Sequence, residues 1–313
     1  MAEPSPSISD EEQKPPVDSA SVLSTKGTFR ELIETLTPEV LTRLSDEIEE
    51  KLSRAPAHLN AYKYDPWGFH PDAARQLLVG SALLYRYWFR VENFGIENLP
   101  AGRCLVIGNH AGQVALDAGM ICLSALLEAE PPRILRGMGE FFLPNVPFLN
   151  VIMHRVGSVV GTPKNCIDLL ENDEAVVAFP EGVRGISKLF WERYRLKDFG
   201  LGFMRLALAT GAPVVPVAVI GSEEQTIAIA NLERLGRRVG LPALPITLTF
   251  PWLGPLGLVP LPVKYRIYWG KPMTFEGDPD DEDSVVAEKV EKVRSTIQKM
   301  VDAGLRKRTS WFA

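Results

Sequence analysis

The sequence predicts an α/β fold, a mixed sheet flanked by helices with an N-terminal helical region, on three observations. After Val91, short apolar runs bounded by Gly, Pro and Asn recur, each followed by helically spaced apolar residues. Before Val91 the periodicity is helical. The chain has 313 residues, 46% of them hydrophobic and 23% charged, which is enough for one sizeable core with additional helices. The organisation that follows is a leader over 1–26, a helical region over 27–90, the main domain over 91–305 and a basic, aromatic tail over 306–313.

In chain order, Met1 to Lys26 is rich in Ser, Pro and acidic residues and lacks the basic start and apolar run of a secretory signal. A disordered, cytoplasmic leader is expected. From Thr28 to Leu52, Leu32, Leu36, Val40, Leu44, Ile48 and Leu52 fall close to helical spacing, with Thr37-Pro38 as a break and restart capped by Thr37. Ala73 to Arg90 is a second helix that interleaves Tyr85, Tyr87, Trp88 and Phe89 with Arg86 and Arg90. Both a core placement and a bilayer-surface placement fit it, and it is too short and too charged to span a membrane.

Strands are predicted at Cys104 to Ile107, Arg133 to Arg136, Ala175 to Phe179, Val214 to Ile220 and Tyr265 to Trp269. Helices follow at Asp117 to Leu127, Lys164 to Leu170, Phe203 to Ala209 and Ser284 to Val301. The prolines of Val214 to Ile220 suggest an edge strand or an irregular start. Val239 to Val263 carries no charge, but its six prolines, from Pro242 to Pro262, make a spanning helix untenable. Two readings stay open for it: a buried Pro-rich crossover, or a Trp252-bearing surface that dips into lipid or lines an acyl tunnel, flanked by Arg234, Arg237, Arg238, Lys264 and Arg266.

The net charge of −5 argues against a nucleic-acid partner, which needs a basic face. Cys104, Cys122 and Cys166 form no C-x-x-C pair, so neither a disulfide framework nor a metal site is signalled. His58, His70 and His154 read as structural.

Chemistry concentrates at two strand ends. Cys104 to Ile107 is a buried strand that runs through Gly108 and Asn109 to His110, at the C-terminal edge where α/β active sites collect. Asp117 supplies a carboxylate partner, the usual way to make a histidine a positioned general base. A continuous helix from 110 to 117 would leave the pair roughly 10 Å apart along its axis. Ala111-Gly112-Gln113 must therefore be a loop, eased by Gly112, that folds His110 back. A plain helix N-cap is the competing role for Asp117. The second run, Phe179-Pro180-Glu181-Gly182-Val183-Arg184-Gly185, places Glu181 and Arg184 at another strand end beside glycines. The third is Val214-Val215-Pro216-Val217.

These three runs in this order resemble the glycerolipid and lysophospholipid acyltransferase superfamily, over about Val91 to Gly270. The resemblance implies an O-acyltransferase with no cofactor, which moves a fatty acyl group from acyl-CoA or an acyl carrier protein thioester to a lipid alcohol or lysophospholipid. It implies His110 as base, Asp117 as its orienter, and Asn109, Gly112, Glu181, Gly182 and Arg184 at the substrate. It also implies a peripheral or monotopic enzyme at the cytoplasmic face of a membrane. Two positions depart from the pattern. Ala115 stands where the family's Asp is expected, so Asp117 arrives two residues late, and Pro163 stands where a phosphate-binding Arg is expected, with Lys164 or Arg155 as substitutes. A serine hydrolase is the first rival reading, and no G-x-S-x-G elbow supports it. A non-catalytic lipid-binding protein is the second.

Overall fold

The computed structural model describes residues 36–113, 115–139, 149–232, 235–236 and 244–312. The expected leader, the start of the Thr28 to Leu52 helix, and Arg234, Arg237 and Arg238 lie outside the described residues.

Helix α1 spans Pro38–Arg54, begun by Pro38 after Thr37, whose Oγ1 accepts from the Val40 N–H. Leu44, Ile48 and Leu52, four residues apart, form its buried stripe. Helix α2, Pro71–Leu83, starts two residues before its expected boundary because His70 Nδ1 caps the Ala73 N–H at 3.3 Å. His70 is thus structural, as read. The backbone then widens into a π-helical turn at Leu84–Trp88. Tyr85, Trp88 and Phe89 face the core, Arg86 pairs with Glu47 and Glu128, and Arg90 donates to three backbone carbonyls. The aromatic end of this segment is therefore packed inside the protein.

Strand β1 is Glu92–Phe94, β2 Cys104–Gly108, α3 Leu116–Leu127, β3 Leu135–Gly139, α4 Leu149–Arg155 and β4 Val159–Val160. Then come α5 Pro163–Glu171, β5 Ala175–Ala178, α6 Val183–Ile186, α7 Gly202–Thr210, β6 Val214–Ile220, β7 Ala228–Leu232, β8 Leu244–Thr247, β9 Arg266–Trp269 and α8 Asp283–Lys307. Among the described residues seven strands form one sheet in the order β1-β9-β6-β2-β5-β3-β4, and every pairing is parallel except the antiparallel β6–β9. The mixed sheet and flanking helices are as the sequence predicts.

Every residue of β2 is buried, because both faces are covered. Cys104 and Val106 pack with α1, α2 and α3, while Leu105 and Ile107 pack with α5, α7 and α8. Val214 to Ile220, expected as an edge strand or one with an irregular start, is central, between β2 and β9, which overturns the edge reading. Pro216 is tolerated there because its carbonyl points to the Gly270 N–H, so its missing N–H faces the β9 side, one residue before that ladder begins at Val217–Trp269. The expected strand at Arg133 to Arg136 begins two residues later, at Leu135.

Of the Val239 to Val263 segment, Leu244–Thr247 is β8, paired with β7 in a separate two-stranded sheet, and Gly254–Leu258 is a 3₁₀ turn. It presents Trp252, 71% exposed, and Leu256, 75% exposed, to the outside. A wholly buried crossover is therefore excluded for this part. No helix among the described residues is long and apolar enough to cross a membrane.

Candidate active site

Strand register brings the two motifs together. Ile107 pairs with Ala178, so His110 and Glu181, each three residues further on, emerge side by side beyond β2 and β5. The His110 N–H donates to Glu181 Oε1 at 2.9 Å, and the Lys197 N–H donates to Oε2 at 2.8 Å. Both oxygens of this buried carboxylate thus hold backbone groups, and its visible work is to fix the chain at His110.

Chain reversal after His110 depends on two residues of positive φ, Gly112 at +88° and Gln113 at +62°. A Cβ at Gly112 would lie 2.0 Å from Gln225 Nε2, so the position needs glycine for space as well as for conformation. Gln113 N–H donates to the Ile186 carbonyl and its side-chain amide to the Lys188 carbonyl, binding this turn to α6. The reversal places His110 Nδ1 2.9 Å from Asp117 Oδ2. That same oxygen accepts from the Ala111 N–H at 2.9 Å, and Oδ1 accepts from Ala118. Asp117 lies inside the first turn of α3, whose N-cap is Ala115, so it does not cap the helix.

The Asp117 carboxylate already accepts from two backbone N–H groups, and the His110 tautomer that matches it carries its proton on Nδ1, which in the neutral ring places the lone pair on Nε2. The ring stacks on Phe179 with centroids 4.2 Å apart and planes 17° from parallel, and its side chain is 11% exposed. An orienting carboxylate, a stacked ring and a second ring nitrogen with no hydrogen-bond partner among the described residues are the parts of a general base.

Asn109 is occupied by the neighbouring strand. Its amide donates to the Val219 carbonyl at 3.0 Å and accepts from the Val219 N–H at 2.7 Å, stitching β2 to β6. Gly182, at φ +56°, makes the turn that follows Phe179, and Arg184 is exposed, donating to the Asp198 carbonyl at 2.9 Å. Lys164 is exposed in the first turn of α5, and Arg155 lies over the Tyr64 ring at 4.4 Å. Neither cation is thereby brought to His110.

Three supporting groups were missed from the sequence. Gly185 lets α6 pass the site, since a Cβ there would meet Glu181 Cβ, His110 Cβ and the His110 carbonyl, each at 2.9 Å. Lys188 is buried, with Nζ 2.7 Å from Glu223 Oε1 and 3.4 Å from Glu181 Oε2. Gln225 holds the Gly112 carbonyl at 3.1 Å. Gln225, together with Glu223, the partner of Lys188, belongs to a signal that was available: Gly221-Ser222-Glu223-Glu224-Gln225 sets polar residues directly after an apolar strand, at the sheet edge that carries the site.

An apolar cavity of about 510 Å³ adjoins the second motif, lined by Leu105, Ala178, Phe179, Pro180, Phe203 and Leu206. Thr162, Pro163 and Arg205 also border it.

The Acyltransferase family model matches residues 90–220, the segment that holds both halves of this site. An uncharacterised protein of Mycobacterium tuberculosis is 38% identical over 246 residues, covering 76% of this chain and 68% of its own length. The chloroplastic 1-acyl-sn-glycerol-3-phosphate acyltransferase of Brassica napus is 28% identical over 163 residues, covering 49% of this chain and 43% of its own. The crystal structure of the Thermotoga maritima 1-acyl-sn-glycerophosphate acyltransferase shares the fold at a TM-score of 0.50 and 19% identity, over 76% of this chain and 81% of that one. On the family match and the mycobacterial relative together, this chain belongs to the glycerolipid acyltransferase superfamily and is an O-acyltransferase.

Proposed function

We propose that the protein transfers a fatty acyl group from a thioester donor, acyl-CoA or acyl carrier protein, to the hydroxyl of a lysophospholipid or other lipid alcohol, with His110 as general base. The pairing of His110 Nδ1 with Asp117 Oδ2, which leaves Nε2 open, carries this reading. Nε2 takes the hydroxyl proton as the oxygen attacks the thioester carbonyl. The C–O bond forms, the C–S bond breaks, and the proton passes to the departing thiolate. Asp117 offsets the charge that develops on the ring, and base catalysis of this kind is worth roughly 10²- to 10⁴-fold.

The cavity beside Phe179 and Pro180 supports an apolar chain as part of the substrate. Pro163 on its border supplies no charge, which favours a neutral or zwitterionic acceptor alongside lysophosphatidate. Exposed Trp252, Leu253, Leu256 and Val259 support peripheral or monotopic attachment to the cytoplasmic face of a membrane.

Incubating purified protein with acyl-CoA or acyl carrier protein thioester and a panel of acceptors, and following thiol release together with lipid ester, tests the reading. Equal thiol and ester sustains it. Thiol without ester would mean hydrolysis, and bound lipid without turnover would mean a carrier. For the membrane contact, vesicle flotation that salt reduces only in part is expected, since apolar insertion is not screened.

A further inference from the structure

Lys188 is 1% exposed in its side chain and reaches two carboxylates that come from different strands' ends, Glu181 after β5 and Glu223 after β6. Burial works against its charge, but Glu223 and Glu181 outweigh that and hold the ammonium above the ordinary lysine range. Glu223 Oε1 also accepts from the Tyr194 N–H at 3.2 Å. The Lys188 carbonyl, for its part, accepts from the Gln113 side chain. Lys188 therefore touches the His110 loop twice: through Glu181, which holds the His110 N–H, and through Gln113.

Stability alone gives little reason for this arrangement, because replacing buried ion pairs with apolar residues of similar volume is often neutral or stabilising. Geometry gives a reason. A base must be held within a fraction of an ångström of its working position, by groups whose own positions are fixed. Here the carboxylate that holds the His110 backbone is itself held by a buried ammonium.

We propose that Lys188 is a positioning residue for His110, its ammonium tying Glu181 to Glu223 and so fixing the backbone from which the imidazole projects. This rests on the acyl-transfer reading for its catalytic consequence, while the positioning itself can be observed without any substrate.

The experiment uses the full chain as wild type, Lys188→Met, and Lys188→Met with Glu223→Gln. The double variant removes the carboxylate that the first change leaves unpaired. Steady-state acyl transfer, thermal unfolding and selective ¹⁵N-histidine spectra are measured on each. The chain has 4 histidines, so four amide signals are expected, and the one lost in His110→Ala is that of His110. In Lys188→Met, kcat falls at least tenfold while KM for the thioester stays within twofold, and the His110 amide proton moves upfield with faster exchange as its bond to Glu181 loosens. In the double variant the unfolding midpoint recovers but kcat and the amide signal do not. If kcat recovers with stability, or the His110 amide is unchanged in both variants, the proposal is overturned and Lys188 is only a core contact. Absence of transfer by wild type would instead sink the functional reading, and the amide signal alone would then decide the positioning.

Discussion

One oxygen of Asp117 holds two groups at the start of the chain reversal after His110: Oδ2 lies 2.9 Å from His110 Nδ1 and accepts from the Ala111 N–H at 2.9 Å. Loop geometry and ring orientation are thus set by the same atom, which is why a spacing two residues longer than the family pattern still delivers a pair. Asp117→Asn keeps the size but loses the charge and the acceptor-only character that select the Nδ1–H tautomer. We expect kcat to fall by roughly 10²-fold or more with little change in KM, and His110→Ala to abolish transfer with an unchanged circular dichroism spectrum. Near-normal turnover of His110→Ala would remove His110 from the mechanism, and near-normal turnover of Asp117→Asn would remove Asp117 as its orienter.

Two glycines near each other in sequence should respond in opposite ways to alanine. Gly112 has φ +88° and a Cβ there would lie 2.0 Å from Gln225 Nε2 and 2.7 Å from the Ser222 carbonyl. Gly119 sits within α3 with nothing within 4 Å of the added atom. Gly112→Ala should cost about 1–3 kcal/mol and most of the activity, through strain and displacement of the His110 turn. Gly119→Ala should be neutral or stabilise by about 0.5–1 kcal/mol, since helical glycine is entropically unfavourable. Denaturant midpoints measured on both variants decide, and a Gly112→Ala protein as stable and active as wild type would contradict the packing at the turn.

The parts of this site that could be read in the sequence are those fixed by local pattern. A run of apolar residues ending in Asn109-His110 implies a strand end, and helix geometry alone shows that residues 111–113 must turn for Asp117 to reach the ring. The parts that could not are set by pairing across the sheet. Asn109 looks like a substrate contact until Val219, 110 residues on, is seen to take both its donor and its acceptor. Pro216 suggests an edge until its carbonyl direction is known. Glu181 reads as an acceptor-binding carboxylate because sequence carries no register, and register is what sets it against the His110 backbone. Arg86 and the aromatic residues beside it fit a lipid surface equally well until Glu47 and Glu128 appear as partners.

Acceptor charge is the next point open to test. Arg184 is exposed and tethered by one hydrogen bond to the Asp198 carbonyl, so it is free to exchange that partner for a phosphate, which an Arg can bind bidentately. Arg184→Ala should raise KM for lysophosphatidate about tenfold or more and KM for an uncharged glycerolipid much less, with the unfolding free energy changed by less than about 0.5 kcal/mol. Equal effects on the two acceptors would assign Arg184 to support of its own loop. A lysophosphatidate preference that survives the change would direct attention to Lys164 and Arg155.

Glu223 should leave a signature in the pH dependence of stability. Burial pushes its carboxyl up from 4.5 to about 7, against the opposing pull of Lys188 and the Tyr194 N–H. Between those two values the folded chain binds a proton that the unfolded chain releases, so this group's contribution to stability is complete below about 4.5 and is lost as pH rises through about 7. Lys188 stays protonated throughout this window, because its own shift is upward from 10.5. Other groups add slopes of their own, so the informative quantity is a difference between two proteins. Unfolding free energies of wild type should fall relative to those of Glu223→Gln from pH 5 to pH 7.5, by at most about 3 kcal/mol. Gln cannot titrate, and the difference should level off at higher pH, where the wild-type carboxylate is already charged. Parallel curves across the whole range would mean that Glu223 is ionised in the folded protein well below neutrality and that Lys188 outweighs its burial.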